Sequence, residues 1–93
     1  MKQYELRSYR IRDGELDAWV AEWLEHVVPL RHAHGFELLG PWLAEDGRFV
    51  WIIGHEDFDI ADASYYASNE RLAIEPDPAR HITETQNIRL LPF

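Results

Sequence analysis

Phe49-Val50-Trp51-Ile52-Ile53 is the stretch whose reading decides the fold. Five apolar residues in a row, β-branched or aromatic, read as a strand. The run is apolar on both alternating phases. Such a strand is covered on both faces and belongs in the middle of a sheet. Just before it, Glu45-Asp46-Gly47-Arg48 carries the Asp-Gly signal of a tight hairpin. Phe36–Ala44 is then its antiparallel partner. Pro41 cannot donate to a ladder, so that partner is expected at a sheet edge or with a bulge.

Further back, Leu16, Trp19, Val20, Trp23, Leu24 and Val27 recur at helical spacing. Asp17, Glu22 and Glu25 fall outside the stripe and read as solvent-facing. Asp13 is a plausible N-cap, with Glu15 favourable in the first turn. Pro29 removes a backbone donor, which predicts a kink or break. One more turn through Leu30–His34 is expected, closed by Gly35 at C′. The helix then spans about 30 Å, the length of a nine-residue strand. Gln3–Ile11 reads as that strand, with apolar residues on both phases between Leu6 and Tyr9.

Beyond the central stretch, Asp59 is a plausible cap for a second helix with Ile60, Ala63, Ser64 and Ala67 on one face. Ser68 caps a further short helix through Leu72 and Ile74, ended by Pro76-Asp77-Pro78. His81–Leu91 reads as a last strand. The order β-α-β-β-α-β predicts an α+β ferredoxin-like sandwich, an antiparallel four-stranded sheet with both helices on one face. The helices cover one face, yet the central strand is apolar on both. A second copy of the same sheet is the simplest cover, so a homodimer through the sheet face is expected.

Composition narrows the function. The 93 residues make a single domain, and none is Cys, which excludes disulfides and thiolate chemistry. The net charge of −8, from 9 basic and 17 acidic residues, argues against nucleic acid and anionic membranes as partners. No run approaches the ~20 apolar residues of a membrane span. The first residues enter a strand pattern at once, so no signal peptide is read and a cytoplasmic protein is expected. The absence of G-x-S-x-G, H-E-x-x-H and a phosphate-binding glycine loop leaves no metal or cofactor predicted.

Several stretches resemble the NIPSNAP family. They are Tyr4-Glu5-Leu6-Arg7-Ser8-Tyr9, Pro29-Leu30-Arg31, the run from His34 to Trp42, Phe49-Val50-Trp51 and Tyr65-Tyr66-Ala67-Ser68-Asn69-Glu70-Arg71. The resemblance covers nearly the whole chain in order. It implies a dimeric α/β-barrel, in which two ferredoxin-like sheets close on each other. Ile53 and His55 depart from it, standing where the family more often has an arginine and an aromatic residue. Members are mostly of unsettled function. The wider superfamily includes cofactor-free monooxygenases, lactone isomerases and haem-binding enzymes that use a cleft between sheet and helices or at the dimer seam.

The residues that could carry chemistry are few. Glu5, Arg7 and Tyr9 share one strand face, where a buried Arg and Glu need each other or a ligand carboxylate. His26 borders the first helix's stripe, either as a general base facing a cleft or bonded to a backbone carbonyl. His32 and His34 diverge by about 200° on a helix and cannot share a metal. His55 shares a phase with Trp51, and with Trp42 could border an apolar pocket. Tyr65 and Tyr66 could line a void beside the second helix. Arg7, Tyr9, Trp42, Trp51, Tyr65 and Tyr66 are therefore the expected ligand-binding residues, with His26 and His55 the catalytic candidates. Two functions fit: a homodimer binding a small apolar or aromatic molecule, or a cofactor-independent monooxygenase- or isomerase-like enzyme. Either needs a Trp- and Tyr-lined pocket of at least ~300 Å³ with one of those histidines inside. A filled interior would leave a purely structural role through the dimer surface.

Overall fold

In a computed structural model, which describes residues 1–93, the chain runs as nine ordered segments and a connecting π turn. They are β1 (Gln3–Ile11), α1 (Leu16–Glu22), a π-helical turn (Trp23–Val27), α2 (Val28–Ala33), β2 (Glu37–Leu43), β3 (Phe49–His55), α3 (Phe58–Ala67), α4 (Asn69–Leu72), a 3-10 turn (Pro78–His81) and β4 (Ile82–Leu90). The strands form one antiparallel sheet in the order β2-β3-β1-β4. This is the ferredoxin-like arrangement, with the two-sided apolar strand β3 inside the sheet. β2 is an edge strand, and its ladder is irregular between Leu39 and Trp42. Pro41 lies in that irregularity, where a missing N–H is tolerated. No helix is long and apolar enough to cross a membrane.

One sheet face packs on the helices. Tyr9, Phe49, Trp51 and Ile53 meet Trp19, Trp23 and Val27 there. The aromatic rings pack edge to face: Tyr9–Trp19 at 5.6 Å, Trp23–Phe49 at 5.2 Å and Trp23–Trp51 at 5.4 Å. Truncating one such buried Trp to Ala typically costs about 3–5 kcal/mol. The opposite face carries Leu6, Val50, Ile52 and Ile88, aligned by the registers of Leu6 with Ile52 and with Ile88. Nothing in the chain covers it.

The long helix corrects the sequence reading at several points. Pro29 does not break it: helical structure runs on to Ala33. Its ring clashes with the carbonyl four residues back, and the π turn before it relieves the clash by opening the ladder. The Val28 N–H accordingly bonds the Trp23 carbonyl, five residues away. A spacing of four overshoots an α-helical turn of 3.6 residues, and the longer π turn undershoots it. The two offset each other, so Trp19, Trp23, Val27 and Arg31 line up on one buried face. Leu24 is turned outward and is 56% exposed. The N-cap is Glu15, not Asp13, and neither contributes a side-chain cap.

The second helix is out of phase with expectation. It starts after Asp57, not Asp59, and buries Phe58, Ala61 and Tyr65. Phe58 had no place in the expected stripe, yet it packs on Phe36 at 5.8 Å and sets the rotation of the helix. Ile60 consequently faces out, 76% exposed, with Ala63, Ser64 and Ala67 also exposed. Ser68 caps α4 as expected, accepting from the Arg71 N–H at 3.1 Å, although the helix ends at Leu72.

Glu22 is not solvent-facing. It takes both Nη groups of Arg80, at 2.7 and 2.9 Å, and bonds His81 at 2.8 Å. His81 precedes β4 rather than opening it, and its other ring nitrogen meets Glu15 at 2.8 Å. Only an imidazolium donates from both nitrogens. The bonds to Glu22 and Glu15 hold the His81 pKa above its ordinary 6.5, and Arg80 with His81 holds Glu22 down to about 2. Stability from His81 is thus complete below pH 6.5 and fades as pH rises through its folded value. Stability from Glu22 is lost only as pH falls from 4.5 toward 2. The melting-temperature gap between wild type and His81→Gln is expected to be widest near pH ~6 and to narrow by pH ~9. Thermal scans across that range check it, and a gap that widens toward alkali would contradict the charged pairing.

Candidate functional site

Two local devices position Arg31. The π turn brings it to the buried face. A Schellman motif then fixes its backbone: the Phe36 N–H bonds the Arg31 carbonyl and the Gly35 N–H bonds the His32 carbonyl, both at 3.0 Å. Gly35 supplies the required positive φ of 83°, and a Cβ there would come 3.1 Å from the His55 ring. The Arg31 side chain is only 1% exposed. Its guanidinium lies 3.7 Å from the Tyr65 ring centroid and 4.7 Å from that of Phe36.

Asp62 on α3 joins it to the sheet. Its Oδ1 accepts from Arg31 at 2.7 Å and its Oδ2 from Arg7 at 3.1 Å. The Tyr66 hydroxyl accepts from the same two arginines, at 2.9 Å from Arg7 and 3.2 Å from Arg31. Arg7 also donates to Glu5 at 3.0 Å, and Glu5 meets Arg89 at 3.4 Å. The Glu5–Arg7 bridge anticipated on β1 is therefore one edge of a larger network. Burial works against the charge on Arg7, but Tyr9, Tyr66, Asp62 and Glu5 around it raise its pKa overall.

Beside this network, between sheet and helices, is a cavity of about 70 Å³. Tyr9, Trp19, Trp51, Tyr65 and Tyr66 give it aromatic walls. Arg31 and Arg71 contribute its cationic side chains, and Pro78, Ala79 and Ile82 also border it. Burial pushes the Tyr9 and Tyr65 phenols above the ordinary tyrosine value, so both stay protonated at neutral pH. Arg71 is tied to Asp77 at 2.9 Å.

Of the expected ligand-binding residues, Tyr9, Trp51, Tyr65 and Tyr66 line this cavity and Arg7 adjoins it through Tyr66. Trp42 does not. It lies with Leu16, Val20 and Phe49 in a separate groove at the sheet edge. Neither catalytic candidate reaches the cavity. His26 lies on the outer side of the helix, 3.8 Å from Glu25, and makes no backbone carbonyl bond. His55 is at the far end of the hairpin from Trp42, where its Nδ1 accepts the Asp57 N–H at 2.9 Å. The cavity is also smaller than the sequence reading required.

Arg31, Asp62 and Arg71 were not among the expected site residues. Arg31 reads as a helix-end cation. Its burial follows from the π turn, whose only sequence signal is Pro29. Asp62 could have been found from the spacing Phe58, Ala61, Asp62 and Tyr65, one helical face with a single carboxylate in it. Removing that carboxylate takes from buried Arg31 its one acidic partner and leaves Arg7 with Glu5 alone. Asp62→Ala is expected to cost about 3–5 kcal/mol, and Asp62→Asn less, because the amide oxygen still accepts. Denaturant titration measures both, and equal losses would show that charge rather than hydrogen bonding dominates.

The sequence profile of the NIPSNAP family matches residues 4–91. A NIPSNAP family protein from Agrobacterium tumefaciens superposes with a TM-score of 0.85 at 20% identity, covering 100% of this chain and 94% of that one. A NIPSNAP domain protein from Burkholderia xenovorans gives 0.83 at 18% identity, over 98% and 94% of the two chains. An antibiotic biosynthesis monooxygenase gives 0.68 at 14% identity, over 98% of each. At such identities the likeness is one of fold, that of the ferredoxin-like sandwich. No curated protein matches the sequence. The matched profile takes in every strand and helix of the sandwich, from Tyr4 in β1 to Leu91 just past β4, and on that footing the chain belongs to the NIPSNAP family.

Proposed function

We propose that the protein is a homodimeric small-molecule-binding protein whose ligand enters the aromatic cavity between sheet and helices. The carrying observation is that cavity: aromatic rings from β1, β3, α1 and α3 converge on unfilled space. A packed interior leaves few voids larger than a water molecule. This space holds about two waters' share of liquid volume, less than the ~150 Å³ that takes a benzene ring. Only a small molecule, or the end of a larger one, fits as it stands.

The homodimer has separate support. The uncovered sheet face presents Leu6, Val50, Ile52, Ile88 and Leu90 across three adjacent strands, with Ile88 still 44% exposed. A continuous apolar face of this kind marks an association surface. A second sheet of the same kind matches it in shape and chemistry.

The alternative is a cofactor-independent monooxygenase- or isomerase-like enzyme acting in the same cavity. Its support is the shared fold, a weaker warrant than a site. With His26 and His55 outside, the proton shuttle would fall to Tyr9 or Tyr65, and burial disfavours ionising either. Binding is accordingly the preferred reading.

Native mass spectrometry tests it. Wild type is expected at twice 11.0 kDa, and Ile52→Arg at 11.0 kDa. After incubation with a mixture of small organic molecules, the wild-type dimer should carry added mass that denaturation releases. A wild type at 11.0 kDa at micromolar concentration removes the dimer. A dimer of two bare chains under every condition removes the ligand.

A further inference from the structure

One wall of the aromatic cavity is unlike the others. Tyr9 and Trp51 project from the sheet, and Trp19, Arg31 and Tyr65 from helices. Pro78 and Ala79 belong instead to the connection between α4 and β4. Pro78 is buried and Ala79 is exposed. The rings of Trp19 and Trp51 on the same cavity are only 3% and 2% exposed, so nothing of a ligand's size reaches them while this wall stays in place.

Backbone bonding does not hold the connection down. Between residues 75 and 80 no backbone hydrogen bond runs to another part of the chain; the Arg80 N–H turns back to the Asp77 carbonyl at 3.1 Å. The first bond that leaves it joins the Arg12 N–H to the His81 carbonyl at 2.8 Å. Ion pairs do the holding. At one end Asp77 meets Arg71 at 2.9 Å. At the other, Arg80 spans the Glu22 carboxylate, and His81 reaches Glu15 and Glu22 from its two ring nitrogens, both at 2.8 Å. Those two carboxylates stand at opposite ends of α1, about two turns apart, and His81 bridges them.

His81 is the member of this set that changes charge near neutrality. An imidazolium donates to both carboxylates. A neutral imidazole has one N–H, so it donates to one and turns a lone pair on the other. The charged groups around it are Glu15 and Glu22 on α1 and Arg80 beside it. Arg12 is taken up by Glu15 at 3.9 Å and by the Arg80 carbonyl at 3.4 Å. Two carboxylates against one close guanidinium favour the imidazolium, in keeping with the raised pKa of His81.

We propose that residues 75–81 form a lid over the aromatic cavity, that His81 and Arg80 latch it to α1, and that loss of the His81 proton frees it to let small molecules pass. The inference rests on the small-molecule-binding reading above and gives the regulation of that site. Opening breaks no strand pairing. It costs the ion pairs, the packing of Pro78 and the single bond from Arg12. A molecule admitted in alkali is retained in mild acid.

Acrylamide quenching of tryptophan fluorescence reads the opening, because acrylamide is uncharged and does not titrate. Trp42→Phe removes the exposed tryptophan and leaves Trp19, Trp23 and Trp51, all buried. In that background quenching is expected to rise roughly threefold or more between pH ~6 and ~9. His81→Gln cannot carry the charge and should show the high value at both. His81→Lys stays charged throughout and should keep the low one. Glu15→Gln leaves the Arg80–Glu22 pair whole and should move the midpoint of the rise to lower pH. Protection of the Arg12 amide against hydrogen exchange should fall with the same midpoint, while that of Ile53 in β3 stays constant. Quenching independent of pH overturns the latch, and so does a rise that persists unchanged in His81→Gln. A parallel loss of protection at Ile53 means loosening of the whole molecule and overturns the lid. Opening as described, in a chain that never carries added mass in the native spectrum, upholds the lid and overturns the ligand reading alone.

Discussion

Asp62 between the guanidinium groups of Arg7 and Arg31 is the contact on which the rest of the molecule depends. It joins the central strand β1, the helix α2 and the helix α3 at one carboxylate. Replacing such a network with apolar groups of the same shape is often neutral or stabilising, since burying two cations and their partners costs several kcal/mol before their attraction repays it. What the network supplies instead is orientation. A guanidinium bonded through its Nη groups, and stacked 3.7 Å from the Tyr65 ring centre, has no freedom to turn. The Tyr65 ring against it is held in the cavity wall in the same way before any ligand arrives, which lowers the ordering cost of binding.

Arg31 reaches that position because of features some distance away in the chain. Pro29 forces the helix to open, and the π turn undoes the drift that a spacing of four would accumulate. Gly35 and Phe36 then close the helix with Arg31 as the residue whose carbonyl is capped. The same Phe36 ring lies 4.7 Å from the guanidinium and packs on Phe58, which sets the rotation of α3 and so the direction of Asp62. Helix termination, helix rotation and the charged network are thus one piece of geometry.

This explains which parts of the structure were legible in the sequence. β3 declares its central place through five apolar residues, and Pro41 declares β2 an edge, because both signals are local and obey a period of two. Gly35 announces the helix end for the same reason. The helical faces were harder. Leu24 and Ile60 are apolar and sit at plausible spacings, yet both face water, because a π turn and a Phe58 anchor rotated each helix by amounts no fixed period contains. Tyr9, Trp51, Tyr65 and Tyr66 were legible as site residues through their aromatic bulk. Arg31, Asp62 and Arg71 were not, because a charged side chain on a helix reads as solvated until its tertiary partners are known.

The two faces of the sheet bear different demands, and β3 serves both. Trp51 and Ile53 point to the helices, where Trp51 borders the cavity, while Val50 and Ile52 point to the uncovered face. Alternation along a strand allows this separation, since neighbouring side chains emerge on opposite sides of one backbone. It also couples them. A partner sheet seated on Val50 and Ile52 would restrain the backbone that carries Trp51, and with it the position of that ring in the cavity wall. An isolated protomer lacks that restraint on its central strand. In the proposed assembly, then, the second copy contributes no atom to the cavity but steadies the strand from which one of its aromatic walls projects.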